Sequence, residues 1–295
     1  MKTKRHSSTA LVIAKSTRLA AWDPELLTLV PEGAVEVCDW FLTDHAHDTA
    51  LLREGWYREL LSRLEGWVLP GIRLHYAARK ALLEAEVRRA IARGARQVVV
   101  IGGGFDTLTY RLHRELPNVR FFELDHPATS YSKRKSLTRH ANLSRNLELA
   151  AADLTRTPLA DALAAVGVHP LPSTVVLAEG LLMYLPRETV EAFIGALGSF
   201  FRGSVTLALT FMVPDRSGRA RFHNGSTALS AWLRLVGEPF LSAYRPEELS
   251  ELLARNGFAQ VEYWGDERIR REVLPEALQE RPLAAGEHVC IASRR

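Results

Sequence analysis

The sequence predicts an α/β protein with a doubly wound, mostly parallel sheet. Three observations carry this expectation. Gln97-Val-Val-Val-Ile101 is a short apolar, β-branched run followed at once by Gly102, Gly103 and Gly104, which reads as buried strand, tight turn and helix. Further strand-like runs then alternate with helical patterns to the end of the chain. With 295 residues, 47% of them hydrophobic, the chain can bury one large α/β core.

Taken in order, Ser7-Ser-Thr-Ala10 can cap a helix running towards Trp22, and Asp23-Pro24 stops it. Leu26 to Leu69 is helical in pattern and carries Trp40, Phe41, Trp56, Tyr57 and Trp67, aromatics that suit a lid or substrate wall. Leu69-Pro-Gly71 is a turn, and a long helix follows from about Arg73 to Arg93, closed by Gly94. The first strand is Gln97–Ile101, and the helix opened by Asp106 and Thr107 ends near Pro117. The second strand, Arg120 to Leu124, runs into Asp125-His-Pro127, with a helix from Ala128 to about Arg139 behind it. The third is Leu147 to Ala151, with Asp153 beyond its end, and the fourth is Thr174 to Ala178, ending in Glu179-Gly180. Pro186 sits at the first turn of a helix to Phe201. A fifth strand spans Ser204 to Phe211, and residues 212–244 then break the strand–helix rhythm as an insert. Arg245-Pro-Glu-Glu-Leu249 opens a helix stopped at Asn256-Gly257, and Phe258 to Trp264 and Glu287 to Ala292 complete seven strands. The expected division is 1–71 as a helical lid on a core of 72–295, packed as one unit.

Net charge is +4, but the basic residues are scattered among acids. The one basic cluster near the start is Lys2, Lys4 and Arg5, so nucleic acid is not an expected partner. The two cysteines, Cys38 and Cys290, lie far apart and outside any metal-ligand spacing, which argues against a disulfide framework or a zinc site. Cys290, in an apolar run, reads as a small buried hydrophobe. The apolar run Ala10 to Ala14 is too short for a signal-peptide core, and no stretch approaches membrane-spanning length. A soluble cytoplasmic protein is the expectation.

The glycine turn carries the chemistry. Set against the dinucleotide pattern G-x-G-x-x-G, Thr107 stands where the third glycine belongs, and Asp106 lies two residues past the second. A carboxylate there repels a pyrophosphate. The turn suits a ligand that carries a cation and no phosphate, and S-adenosylmethionine is such a ligand. Asp125, about 20 residues past the glycines at the tip of the second strand, can accept two ribose hydroxyls. Asp125, Asp153 and Glu179 follow three strands and are expected to line one crevice.

Several blocks in fixed order then resemble the leucine carboxyl methyltransferase family. They are Arg96-Gln-Val-Val-Val-Ile-Gly-Gly-Gly-Phe-Asp-Thr-Leu-Thr-Tyr-Arg-Leu112, Phe122-Glu-Leu-Asp-His-Pro-Ala-Thr129 with Lys133-Arg134, Ala152-Asp-Leu154, and Leu177-Ala-Glu-Gly-Leu-Leu-Met-Tyr-Leu185. The bacterial branch that includes tetracenomycin-type polyketide carboxyl O-methyltransferases is the most similar. The resemblance implies a Rossmann-like class I methyltransferase fold, S-adenosylmethionine as cofactor, and roles at matching positions. Arg79, in Tyr76-Ala-Ala-Arg-Lys80, matches the arginine on the cofactor's carboxylate; Gly102 and Gly104 line its methionine part, beside Asp106. Asp125 matches the ribose ligand, Asp153 and Leu154 the adenine contacts, and Glu179 the acid near the amino group. Tyr184 falls where a substrate contact would sit, with a core tyrosine as the alternative. Leu108 departs from the pattern, since the family often has arginine there.

The implied reaction is O-methylation of a carboxylate on a small, polyketide-like acid by in-line displacement. A carboxylate is already ionised at neutral pH and needs no general base. A hydroxyl would need one, for which His45, His47, His126 and His223 are the candidates; His126, ahead of Pro127, reads as structural. The competing readings are methylation of a protein C-terminal carboxylate, a nicotinamide-dependent oxidoreductase, disfavoured by Asp106 and Thr107, and a non-catalytic cofactor-binding protein.

Overall fold

The computed structural model describes residues 7–45 and 49–294. Lys2, Lys4, Arg5, His47 and the side chain of His45 lie outside the described residues. Seven strands form one sheet: β1 (Gln97–Ile101), β2 (Arg120–Asp125), β3 (Leu147–Ala151), β4 (Thr174–Ala178), β5 (Val205–Met212), β6 (Gln260–Trp264) and β7 (Glu287–Arg294). Their order is β3-β2-β1-β4-β5-β7-β6. The first five pair in parallel, and β7 is antiparallel to both β5 and β6. The expected α/β class and seven strands are therefore present. The chain runs outwards in both directions from β1 and β4, which leaves a crevice at their carboxyl ends.

Strand alternation splits the core. Val98, Val100, Phe121 and Val175 face one side of the sheet; Val99, Ile101, Phe122 and Val176 face the other. The first face is covered by α1 (Ser8–Ala20), α2 (Pro24–Leu27), α3 (Ala34–His45) and α5 (Ile72–Ala92), with α6 (Leu108–Glu115) and α7 (Pro127–His140). Between α3 and α5 lies α4 (Gly55–Val68), none of whose residues is fully buried. The second face is covered by α8 (Leu159–Ala165), α9 (Arg187–Phe200) and α11 (Pro246–Arg255). Two further α-helices, α10 (Thr227–Val236) and α12 (Asp266–Glu272), and three short 3-10 turns at Leu51–Arg53, Leu182–Tyr184 and Glu276–Leu278 complete the described secondary structure.

Several boundaries differ from expectation for local reasons. The Asp23 carboxylate accepts the Glu25 and Leu26 N–H groups at 3.1 and 3.3 Å, so Asp23-Pro24 starts α2 as well as following the end of α1. Helix α6 begins at Leu108, because Asp106 stays outside it and accepts the Leu108 N–H at 2.7 Å. The insert after β5 is not irregular throughout: α10 forms within it and ends at Gly237, a glycine with φ of 81°. Helices α8 and α12 were not expected; each is only seven residues, too short for a clear periodicity. Cys290 is fully buried in β7, as its apolar run predicts.

Candidate functional site

The glycine turn leaves β1 in a conformation that side chains disfavour. Gly102 has φ of 70° and Gly104 φ of 55°. Space is short as well: a Cβ on Gly102 would stand 3.0 Å from Leu181, and one on Gly104 would stand 3.0 Å from Ala10. Helix α1 therefore lies directly on the turn. Below the turn, a Cβ on Gly103 would meet the Glu123 carboxyl at 2.9 Å. Glu123 accepts hydrogen bonds from Lys133 Nζ at 2.5 Å and Thr109 Oγ1 at 2.7 Å, all fully buried, so it supports the loop from beneath.

Around this turn is a cavity of about 620 Å³, large enough for a nucleoside-sized cofactor and a small second ligand. Five carboxylates line it, those of Asp106, Asp125, Glu179, Glu238 and Glu287. The cations lining it among the described residues are Arg79 and Lys80. The lining is thus formally negative in a chain of net charge +4.

Both cations are engaged. Arg79 is 2% exposed and reaches across to β7, where its Nη1 donates to both Glu287 oxygens at 2.7 Å. Its Nε donates to Glu179 at 2.9 Å. Lys80 donates to Asp106 and, at 3.2 Å, to Glu179. Burial opposes ionisation of Asp106, but Lys80 and Lys133 outweigh it and hold the carboxyl well below the usual range. Glu287 behaves alike: burial raises it, yet Arg79 and the His75 contact at 2.9 Å bring it to about 2. These are ionised groups in fixed positions.

Asp125 ends β2 with its carboxylate turned back onto the turn, accepting the Gly104 N–H at 2.5 Å and the His126 N–H at 2.6 Å. Burial nonetheless pushes its carboxyl up, outweighing these two hydrogen bonds and the attraction of Lys133. His126 caps α7 through Ala128, the structural role its sequence position implies. His223 contacts the Val213 carbonyl at 3.1 Å and does not line the cavity.

The structure brings together Arg79, Gly102, Gly104, Asp106, Asp125, Glu179 and Tyr184 on one cavity. Asp153 and Leu154 are not on its wall, although the next residue, Thr155, is. The expectation that three strand-end acids line one crevice is corrected here. Asp153 is turned aside because it accepts the Thr155 N–H at 3.1 Å and hydroxyl at 2.6 Å, an Asx-type turn. Leu154 packs against the core on the second face. Sequence reasoning missed Glu287, the first residue of β7, and Glu238. The sequence signal for Glu287 was a carboxylate leading into the apolar run Val289–Ala292, with nothing to say which cation meets it.

The lining also includes the largely apolar Met183, Tyr184, Phe222, Phe240 and Leu241, with Tyr184 and Phe240 rings 5.4 Å apart. Burial pushes the Tyr184 phenol well up, so it is neutral. Phe222 and Phe240 come from the insert after β5. The aromatics of the N-terminal block do not contribute. Phe41 is in the core against Phe105, Trp40 stacks on His140 at 5.0 Å, and Trp56, Tyr57 and Trp67 are off the cavity. What roofs the cavity is α1, through Thr9, Ala10 and Ile13. Glu238 of the insert accepts the Ser8 N–H at 3.0 Å, the Thr9 N–H at 2.9 Å and the Thr9 hydroxyl, tying the insert to the start of α1.

The strand order, the glycine turn at its centre and the negative lining define a Rossmann-like class I methyltransferase fold. The particular family follows: the leucine carboxyl methyltransferase model matches residues 9–198, and the chain belongs to that family. A relative from Frankia alni is 31% identical over 168 residues, 57% of either chain. One from Streptomyces avermitilis is 34% identical over 133 residues, 45% of this chain and 46% of its own. Both bear the name "putative S-adenosyl-L-methionine-dependent methyltransferase". The matches span about half the length of these relatives. The crystal structure of a "putative methyltransferase" from Thermobifida fusca shares the fold, with a TM-score of 0.54 at 16% identity over 100% of this chain and 96% of that one. Among the described residues no helix is long and apolar enough to cross a membrane.

Proposed function

We propose that the protein is an S-adenosylmethionine-dependent O-methyltransferase that esterifies the carboxylate of a small, largely apolar acid. The observation that carries the cofactor is the cavity's charge: five carboxylates against two cations around a glycine turn. That lining attracts a ligand of net positive charge and repels a pyrophosphate, which sets the nicotinamide reading aside. The residues fit such a cofactor. Asp125 has a carboxylate with spare lone pairs for ribose hydroxyls, and the bare Gly102 and Gly104 backbone admits close approach. Arg79 and Lys80, each already bonded to wall carboxylates, are the cations that its carboxylate would meet, and Glu179 is the acid for its amino group, while at the adenine end Thr155 stands on the wall in place of Asp153 and Leu154. When bound, the cofactor supplies an activated methyl group on a sulfonium.

The acceptor's chemistry rests on the family and on the wall. The family model is that of carboxyl methyltransferases. No histidine lines the cavity among the described residues, and a carboxylate needs none, being ionised at neutral pH. Since Arg79 and Lys80 are held by Glu179, Glu287 and Asp106, the acceptor's counter-charge is the cofactor's own cation. Tyr184, Phe222 and Phe240 would contact the acceptor's apolar body. The roof of α1 over Gly104 favours a small molecule over a protein tail.

Incubation with methyl-labelled S-adenosylmethionine and a panel of aromatic and polyketide-like acids tests this. Label should enter a small-molecule product and be released as methanol by mild alkali, the behaviour of a methyl ester. An alkali-stable product would mean an ether and a hydroxyl acceptor. Label found only on a protein C-terminus would mean the peptide reading.

A further inference from the structure

The exposed face of α4 has no role in the site. Trp56 is 61% exposed, Leu60 44%, Leu64 49% and Trp67 85%. On a helix these four fall within an arc of about 80°. The opposite side of α4 is already used: Tyr57 and Leu61 pack on the core, and Glu65 pairs with Arg73. A continuous stripe of two tryptophans and two leucines in water is unusual for a lone helix face.

The stripe is close to a palindrome, Trp-x3-Leu-x3-Leu-x2-Trp. Turned end for end about a two-fold axis near its middle, it meets itself. Trp56 then faces Trp67 of the second copy, and Leu60 faces Leu64. The charges along one flank obey the same symmetry. Glu59 and Arg63 are both exposed and bond to each other at 3.0 Å within the helix. In an antiparallel pair the same flanks face each other, so Glu59 would meet Arg63 of the second copy, and the reverse. We infer that α4 is the contact between two copies of this chain, packed antiparallel about a two-fold axis. Area sets its strength. Two tryptophans at about 150–250 Å² each, plus two leucines, give roughly half or more of the ~800 Å² that a stable interface takes from each partner. The dimer is therefore weak and reversible.

Sedimentation velocity on the full chain, over about 1–100 μM, reads this directly. The expected result is a monomer–dimer equilibrium in the micromolar range. Leu60→Glu, on an exposed position, should give monomer at every concentration with unchanged circular dichroism. Glu59→Arg should weaken association at least tenfold, and Glu59→Arg with Arg63→Glu should restore it. Monomer throughout for the unaltered chain would overturn the inference. So would a dimer indifferent to Leu60→Glu, or a stripe that binds phosphatidylcholine–phosphatidylglycerol vesicles while the protein stays monomeric.

Discussion

At the residue scale, the site is a chain of opposed charges, Glu287, Arg79, Glu179, Lys80 and Asp106, with His75 hydrogen-bonded to Glu287 at its end. Removing one member weakens the pairing of its neighbours. Glu287 is the sharpest case, being 1% exposed and shared by Arg79 and His75. Its carboxyl is lowered from 4.5 to about 2, so its contribution to stability is complete above about pH 4.5 and is lost as pH falls through about 2. Glu287→Gln should therefore destabilise the protein at neutral pH by about 3 kcal/mol, because the buried Arg79 keeps Glu179 alone as its counter-charge. Thermal unfolding followed against pH should also show a shallower loss of stability between about pH 4.5 and 2 than in the unaltered chain. Parallel profiles for the two proteins would contradict this account of the network. Arg79 and Glu179 were legible in the sequence because they stand in recognisable blocks. Glu287 was not, because a carboxylate at the start of a strand gives no sign of which cation reaches it across more than 200 residues.

At the scale of elements, β1, β3 and β4 lie where the apolar runs put them, to the residue. β1 and β4 are buried on both faces, so composition alone marks them, while β3, at the sheet edge with Glu148 and Ala151 exposed, is marked by the turn signals around it. Short helices and the insert were harder, since their form depends on what they pack against. The same holds for the role of the N-terminal block: its large aromatics drew attention, yet the small residues of α1 roof the cavity. A side chain of any size on Ala10 would fill space over Gly104, so the absence of bulk is the functional feature there. The proposed lid has a definite latch, Glu238 on the first turn of α1. A helix cap of this kind is worth about 1 kcal/mol, or roughly a fivefold change in a rate that requires breaking it. Glu238→Ala should speed release of S-adenosylhomocysteine about fivefold in stopped-flow tryptophan fluorescence. An unchanged release rate would mean that α1 does not gate the cavity.

At the scale of the whole molecule, a basic protein carries an acidic cavity, and the two signs are separated by position. The surface basicity says little about the ligand; the lining says more. Asp106 and the missing third glycine pointed away from pyrophosphate in the sequence, and the structure adds Glu238 and Glu287 to the same balance. The central claim is that this cavity takes a cationic nucleoside in place of a dinucleotide. A calorimetric titration of the protein with S-adenosylmethionine, and separately with NAD, tests it most directly. The account predicts saturable binding of S-adenosylmethionine, weakened at least tenfold by Asp125→Ala, and no heat from NAD. Binding of NAD with none of S-adenosylmethionine would contradict it.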